Sequence, residues 1–256
     1  MNATNSATNG PDLWKRRIII WVMLPLAVLL TAVVVNGYSV RQQDAQVRRL
    51  VAGMDGKLKS ENRVPDILAT LFGADFHSSF DRTAYTELIL FGEKVSDGNL
   101  AQIAGLTDLR RLTIERTRVT NAGLVNLGGL KNLEQLSLDH TKVNDLTPIS
   151  KLPNLVELSL IHTAAGDADL ETLAEMPALR AVNLGYLKLS DSGINTLARL
   201  TELEGLSLDG IALSDVAMQQ LNALTKLQGL SLIQAKVSAA ALESFKAAVP
   251  DCRIVQ

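Results

Sequence analysis

The side chains best equipped for chemistry fall in dipeptides at a regular interval. Glu115-Arg116, Asp139-His140, Ile161-His162 and Gly185-Tyr186 are separated by 24, 22 and 24 residues. An imidazole pair with a neighbouring carboxylate is the beginning of a metal site, with His140 and His162 as nitrogen donors and Asp139 as an oxygen donor. A zinc site needs three or four converging ligands, and nothing beyond these three suggests itself, so no metal or cofactor is assigned. A mixture of charge, imidazole, aliphatic and phenol groups suits contact with another protein better. Glu115, Arg116, Asp139, His140, Ile161, His162 and Tyr186 are therefore the candidate partner-binding residues.

A second periodic series runs Ile89, Thr113, Ser137, Ser159, Asn183, Ser207 and Ser231. These hydroxyls have no base beside them in sequence, which argues for a solvated surface rather than nucleophiles. Asp167-x-Asp169-x-Glu171 begins like a calcium loop but lacks the central glycine and the distant glutamate; charges at a helix start explain it. Phosphate-binding loops, zinc-protease helices and nucleophile elbows are absent from the sequence. No catalytic residue is assigned, and the expectation is a protein that is not an enzyme.

The intervals belong to a repeat that covers most of the chain. Aligned on itself, the sequence gives blocks at 83–106, 107–130, 131–152, 153–176, 177–200, 201–224 and 225–249. Each carries Leu-x-x-Leu-x-Leu or a close variant: Leu109/Leu112/Ile114, Leu133/Leu136/Leu138, Leu155/Leu158/Leu160, Leu179/Val182/Leu184, Leu203/Leu206/Leu208 and Leu227/Leu230/Leu232, with Tyr85/Leu88/Leu90 opening the series. The last two apolar positions are two apart and predict one face of a strand. Leu124/Leu127/Leu130 and Ile194/Leu197/Leu200 are three apart and predict a short helical return. Ser96, Thr120, Ser190 and Ser214 then suit helix N-caps, with Asp97, Asn121, Asp191 and Asp215 at the positive end of the helix dipole.

On these residues the chain resembles the leucine-rich repeat family, in the 24-residue bacterial form similar to ribonuclease-inhibitor-like repeats. The resemblance implies an α/β solenoid, curved, with parallel strands on the concave face and short helices on the convex face, and it implies a binding scaffold without naming a ligand. The seven candidate residues then form one patch on the concave side. Two departures stand out. The family's asparagine after the strand is replaced by Thr117, Thr141 and Thr163, then Leu187, Ile211 and Ala235, so the usual asparagine ladder is missing. The third repeat has 22 residues, and Asp145-Leu146-Thr147-Pro148-Ile149 predicts a tighter, less helical return.

The chain before the repeats reads differently. Residues 1–17 form a polar tail expected to be disordered and cytoplasmic. Residues 18–35 carry no charge, follow Lys15-Arg16-Arg17, and are long enough for a transmembrane signal anchor. A cleaved signal peptide is the competing reading, without a convincing small-x-small cleavage site. The charges abutting the span place the N-terminus in the cytoplasm and the repeats outside it. Val40, Val47, Leu50, Val51 and Met54 then recur at helical spacing and predict a helical stalk over 36–63, with a short coiled-coil homodimer as a weaker alternative. Residues 64–82 are read as the N-terminal cap of the solenoid, 83–249 as the seven repeats, and 250–256 as a C-terminal cap strand.

Composition narrows the function classes. Residues 83–256 carry 15 Lys/Arg against 20 Asp/Glu, a balance unsuited to nucleic acid. Cys252 is the only cysteine, so neither an intramolecular disulfide nor a cysteine-based metal site is available. The sequence thus points to a single-pass membrane protein with a protein partner. Its alternatives are a structural component of a surface assembly and a non-catalytic recognition subunit of an enzyme complex.

Overall fold

The computed structural model describes residues 44–54, 56–62 and 83–256. The elements that follow are built into one compact unit, 47–61 with 84–256. A helix, α1 (44–53), precedes strand β1 (Lys57–Asn62). Strand β2 (Thr83–Phe91) opens the repeats and helix α2 (Asp97–Ile103) returns from it. The later strands are β3 (Arg111–Glu115), β4 (Gln135–Ser137), β5 (Glu157–Ser159), β6 (Ala181–Asn183), β7 (Gly205–Ser207), β8 (Gly229–Ser231) and β9 (Arg253–Val255). The later returns are α3 (Asn121–Leu124), α4 (Asp167–Leu173), α5 (Asp191–Leu197), α6 (Asp215–Gln220) and α7 (Ala239–Ala248).

The nine strands form one sheet in chain order, and each pair from β2 to β9 is parallel. Register follows the repeat: Leu88, Leu112, Leu136, Leu158, Val182, Leu206, Leu230 and Ile254 lie side by side. The leucines of each strand point inward against those of the helical return, and Leu138, Leu160, Leu184 and Leu208 are completely buried. No repeat could bury this aliphatic face alone; stacking makes one continuous core.

The third repeat returns through a single 3-10 turn, Thr147–Ile149, with Pro148 inside it. Two residues fewer leave no room for an α-turn, and Pro148 has no N–H to extend one. Asp145 accepts the Thr147 N–H at 2.9 Å, and the side-chain and backbone hydrogen bonds from Thr147 hold its carboxyl below its ordinary value.

The start of the unit departs from the expected stalk. Val51 and Met54 of and just after α1 are buried in the repeat core, Val47 and Leu50 pack against it, and β1 lies beside β2 in the sheet. The apolar spacing that suggested a helix standing free instead covers the aliphatic end of the first repeat. Gly56 makes the close approach: a Cβ there would lie 2.9 Å from both the Ile89 carbonyl oxygen and a Val51 methyl. The cap expected at 64–82 and the apolar run 18–35 lie outside the described residues; among those described, no helix is long and apolar enough to cross a membrane.

Candidate functional site

Each strand leaves the sheet through a turn in which one residue adopts the left-handed conformation. The position recurs in all seven repeats as Gly92, Arg116, His140, His162, Tyr186, Gly210 and Gln234, and the five non-glycine members have φ from 52° to 61°. Left-handed backbone costs a side-chain-bearing residue about 1–2 kcal/mol, because Cβ crowds the following carbonyl oxygen. Glycine is the relaxed choice, and two repeats use it. Backbone stability alone gives no reason for Arg, His, His, Tyr and Gln in the others.

What these side chains do is stack. The His140 and His162 rings lie 4.6 Å apart at 29°, and the His162 and Tyr186 rings 4.4 Å apart at 11°. Tyr186 continues over Gly210, where a Cβ would collide with its ring, and its hydroxyl donates to Gln234 Oε1 at 3.0 Å. At the other end the Arg116 guanidinium lies 5.8 Å from the Phe91 ring centroid, within cation–π range, and pairs with Glu115 at 3.6 Å. His140 and His162 are exposed, Phe91 is 45% exposed and Tyr186 39%. The result is an outward ridge of planar groups along the ends of the strands.

Of the seven residues expected as one patch on the concave face, four share the ridge at the strand ends and none lines the exposed sheet face. Arg116, His140, His162 and Tyr186 form the ridge. Asp139 turns toward the next repeat, where Oδ1 accepts the Ser159 hydroxyl at 2.6 Å and the Ile161 N–H at 3.0 Å. Asp209 repeats this with Ser231 and Ile233, at 2.6 and 2.8 Å. Asp139 is thus a staple between repeats, already engaged, and among the described residues no group of three metal-ligating side chains converges. The hydroxyls of Ser159 and Ser231 are likewise spent as donors to carboxylates. Ile161 is half-buried beside the ridge.

Phe91, Gly210 and Gln234 belong to the ridge and were missed by sequence reasoning. A signal was present: Gly92 and Gly210 occupy the same repeat position, which marks a turn needing positive φ and aligns the other five.

A broad groove of about 710 Å³ runs across the exposed sheet face. Its floor is the row Arg111, Gln135, Glu157, Ala181, Gly205 and Gly229 beside the hydroxyl row. Ser207 Oγ is buried there without a hydrogen-bond partner. The reason is local: Gly185 stands where Asp139 and Asp209 stand in their repeats, so no carboxylate reaches it.

On the opposite side of the turns the N-cap expectation holds at three of its four residues and extends to Ser238; Ser96 stands at the N-cap of α2, but its hydroxyl donates to Asn99 Oδ1 at 3.1 Å instead of accepting a backbone N–H. Thr120, Ser190, Ser214 and Ser238 accept backbone N–H groups at the starts of α3, α5, α6 and α7. The hydroxyls of Thr120 and Ser214 also donate to Asp97 and Asp191 of the preceding repeat at 2.7 Å, and Ser190 donates likewise to Asp167. This carboxylate–hydroxyl chain, with Asn132 and Asn154 donating to the Thr107 and Lys131 carbonyls, supplies polar stitching between repeats. The threonines in place of the family asparagine instead close their own turns: Thr141 and Thr163 donate to Leu138 and Leu160 carbonyls at 2.6 and 2.8 Å.

Among solved structures, one supports this fold. The chain is similar to internalin C2 of Listeria monocytogenes, with 22% identity over 66% of this chain and 70% of that one, at a TM-score of 0.52. It also resembles a second Listeria monocytogenes internalin, inlF, with 16% identity, 74% and 73% coverage, and a TM-score of 0.43. A Leptospira interrogans leucine-rich repeat protein is 22% identical over 61% of this chain and 45% of its own, at 0.44. No family model and no curated relative matches the chain.

Proposed function

We propose that this chain, a leucine-rich repeat protein, is a membrane-anchored binding module that engages a protein partner at the cell envelope through the planar ridge. One observation carries the reading. Five residues accept left-handed backbone and align large, exposed side chains in a single row, at positions where glycine would be less strained. Strain repeated across neighbouring repeats and directed to one surface is accounted for by recognition, not by folding. Rigid planar groups also suit an interface, since little rotamer freedom remains to be lost on binding.

Anchoring rests on the uncharged run 18–35 behind Lys15-Arg16-Arg17, and the same charges favour a cytoplasmic N-terminus with the repeats outside. The chemistry on the ridge gives no support to a catalytic role, because the carboxylates of Asp139 and Asp209 beside it are committed to Ser159 and Ile161 and to Ser231 and Ile233.

The test is cross-linking and affinity capture from intact cells with the wild-type chain and with Arg116→Ala/His140→Ala/His162→Ala/Tyr186→Ala. Loss of a specific protein partner with an unchanged thermal melt is the expected result. Equal capture by the variant rejects the ridge. Protease treatment of intact cells tests orientation: repeats digested only after permeabilisation would reverse it.

A further inference from the structure

Two residues beyond the left-handed position, every repeat places another outward side chain: Lys94, Arg118, Lys142, Ala164, Lys188, Ala212 and Lys236. A second set of backbone bonds between repeats holds four of them in register. The N–H groups of Arg118, Lys142, Ala164 and Lys236 donate to Val95, Val119, Val143 and Ile211 carbonyls. The row is therefore a fixed line beside the ridge, and it contains no acidic residue although residues 83–256 carry a net charge of −5.

Three of the charges on this line differ from most of those elsewhere on the repeats. Arg110–Glu134, Lys151–Glu175 and Lys226–Glu202 are ion pairs across repeat boundaries, at 3.0, 2.8 and 2.6 Å. Arg118 is answered by Glu93 at 3.0 Å. Lys142, Lys188 and Lys236 are exposed and make no ion pair among the described residues. They sit two repeats apart. At about 4.8 Å between neighbouring strands, the ammonium groups are spaced by about 10 Å, and a peptide extended in the polyproline II conformation, with three residues per turn at about 3.1 Å per residue, brings every third residue to the same side at about 9 Å.

We propose that the ridge takes an extended, acidic peptide segment of its protein partner, whose carboxylates, three residues apart, meet Lys142, Lys188 and Lys236 while intervening groups lie along His140, His162 and Tyr186. The proposal rests on the reading of the ridge as a protein-binding surface and adds the chemistry of what binds. The occupant is a narrow chain because a row of carboxylates follows at the helix starts: Asp145, Asp191 and Asp215 lie three residues beyond Lys142, Lys188 and Ala212. A polymer charged on both flanks, such as a nucleic acid, would meet that row. A peptide presenting its carboxylates to one side does not.

The experiment uses the full chain in nanodiscs of zwitterionic lipid and a fluorescein-labelled Ala/Ser peptide with glutamate at every third position, read by anisotropy. A twin peptide with glutamine for glutamate is the control. The glutamate peptide binds and its twin does not; affinity falls about tenfold or more in Lys142→Glu/Lys188→Glu/Lys236→Glu, and salt weakens it. A circular-dichroism melt shows that the variant is folded. Equal binding of the two peptides, or an unaffected lysine variant, overturns the proposal. If neither peptide binds but the ridge-dependent protein partner is still captured, the acidic chemistry fails and the ridge reading stands. If capture from cells also ignores the ridge, both fail. Tighter, lysine-dependent binding of a single-stranded oligonucleotide or of anionic vesicles replaces the peptide with that class and overturns the proposal.

Discussion

The turn ridge and the helix-start row are both polar series repeated along the same solenoid, yet they spend their side chains in opposite ways. At the helix starts, Asp97, Asp167 and Asp191 accept hydroxyls or N–H groups from the following repeat, so the row is turned inward upon the protein's own backbone. At the turns, Arg116, His140, His162 and Tyr186 hold uncomfortable backbone and offer exposed rings and charge outward. Repetition alone therefore does not separate structure from recognition. The destination of each side chain's hydrogen bonds does, and so does the sign of its effect on stability.

Mutations sharpen that contrast. The reference is a core position: Leu160→Ala, wholly buried, should lose about 2–5 kcal/mol in chemical denaturation. Asp167→Ala removes the acceptor for the Ser190 N–H and hydroxyl, and a loss of about 1–2 kcal/mol is expected. An Asp167→Ala melt equal to wild type would show that the helix-start row is not stitching. Gly210→Ala adds a Cβ against the Tyr186 ring in left-handed backbone; about 1 kcal/mol of stability should go, together with the Tyr186–Gln234 bond and part of the capture.

His162→Gly runs the other way. Relief of the left-handed strain, offset by lost stacking and a freer unfolded chain, should leave stability unchanged or raise it by up to about 1 kcal/mol while partner capture drops. A clear destabilisation would break the comparison, since the ridge would then be holding the fold. The smallest effect concerns Asp145. Its folded carboxyl lies below its ordinary value because of Thr147. Its contribution is therefore present above the unfolded value and disappears as pH falls through the folded one. Asp145→Asn should flatten the acid end of the stability–pH curve slightly, measured by urea denaturation at a series of pH values.

Much of the fold was legible because leucine spacing is a direct record of which atoms must leave water. Leu112, Leu136 and Leu158 stand at the same point of successive repeats, and the sheet pairs them in that register. The N-caps were readable for a similar reason: Thr120, Ser190 and Ser214 precede helices whose first N–H groups need acceptors. The ends were harder. Val47, Leu50, Val51 and Met54 have helical spacing whether their apolar side faces a partner helix, a membrane surface or the end of a solenoid. Only the position of β1 beside β2 selected the last.

For the candidate site, sequence by itself determined which residues share a repeat position, and hence that Arg116, His140, His162 and Tyr186 come together. It also determined the small net negative charge of the repeats and the short third return. Tertiary structure alone decided that Asp139 faces Ser159, that Tyr186 crosses Gly210 to Gln234, and that three lysines in one row make no ion pair among the described residues. The physical reason is that periodicity fixes the backbone address of a side chain. Its rotamer and partners depend on the neighbouring repeats, where a single change such as Gly185 for aspartate leaves Ser207 without the bond that Ser159 and Ser231 make.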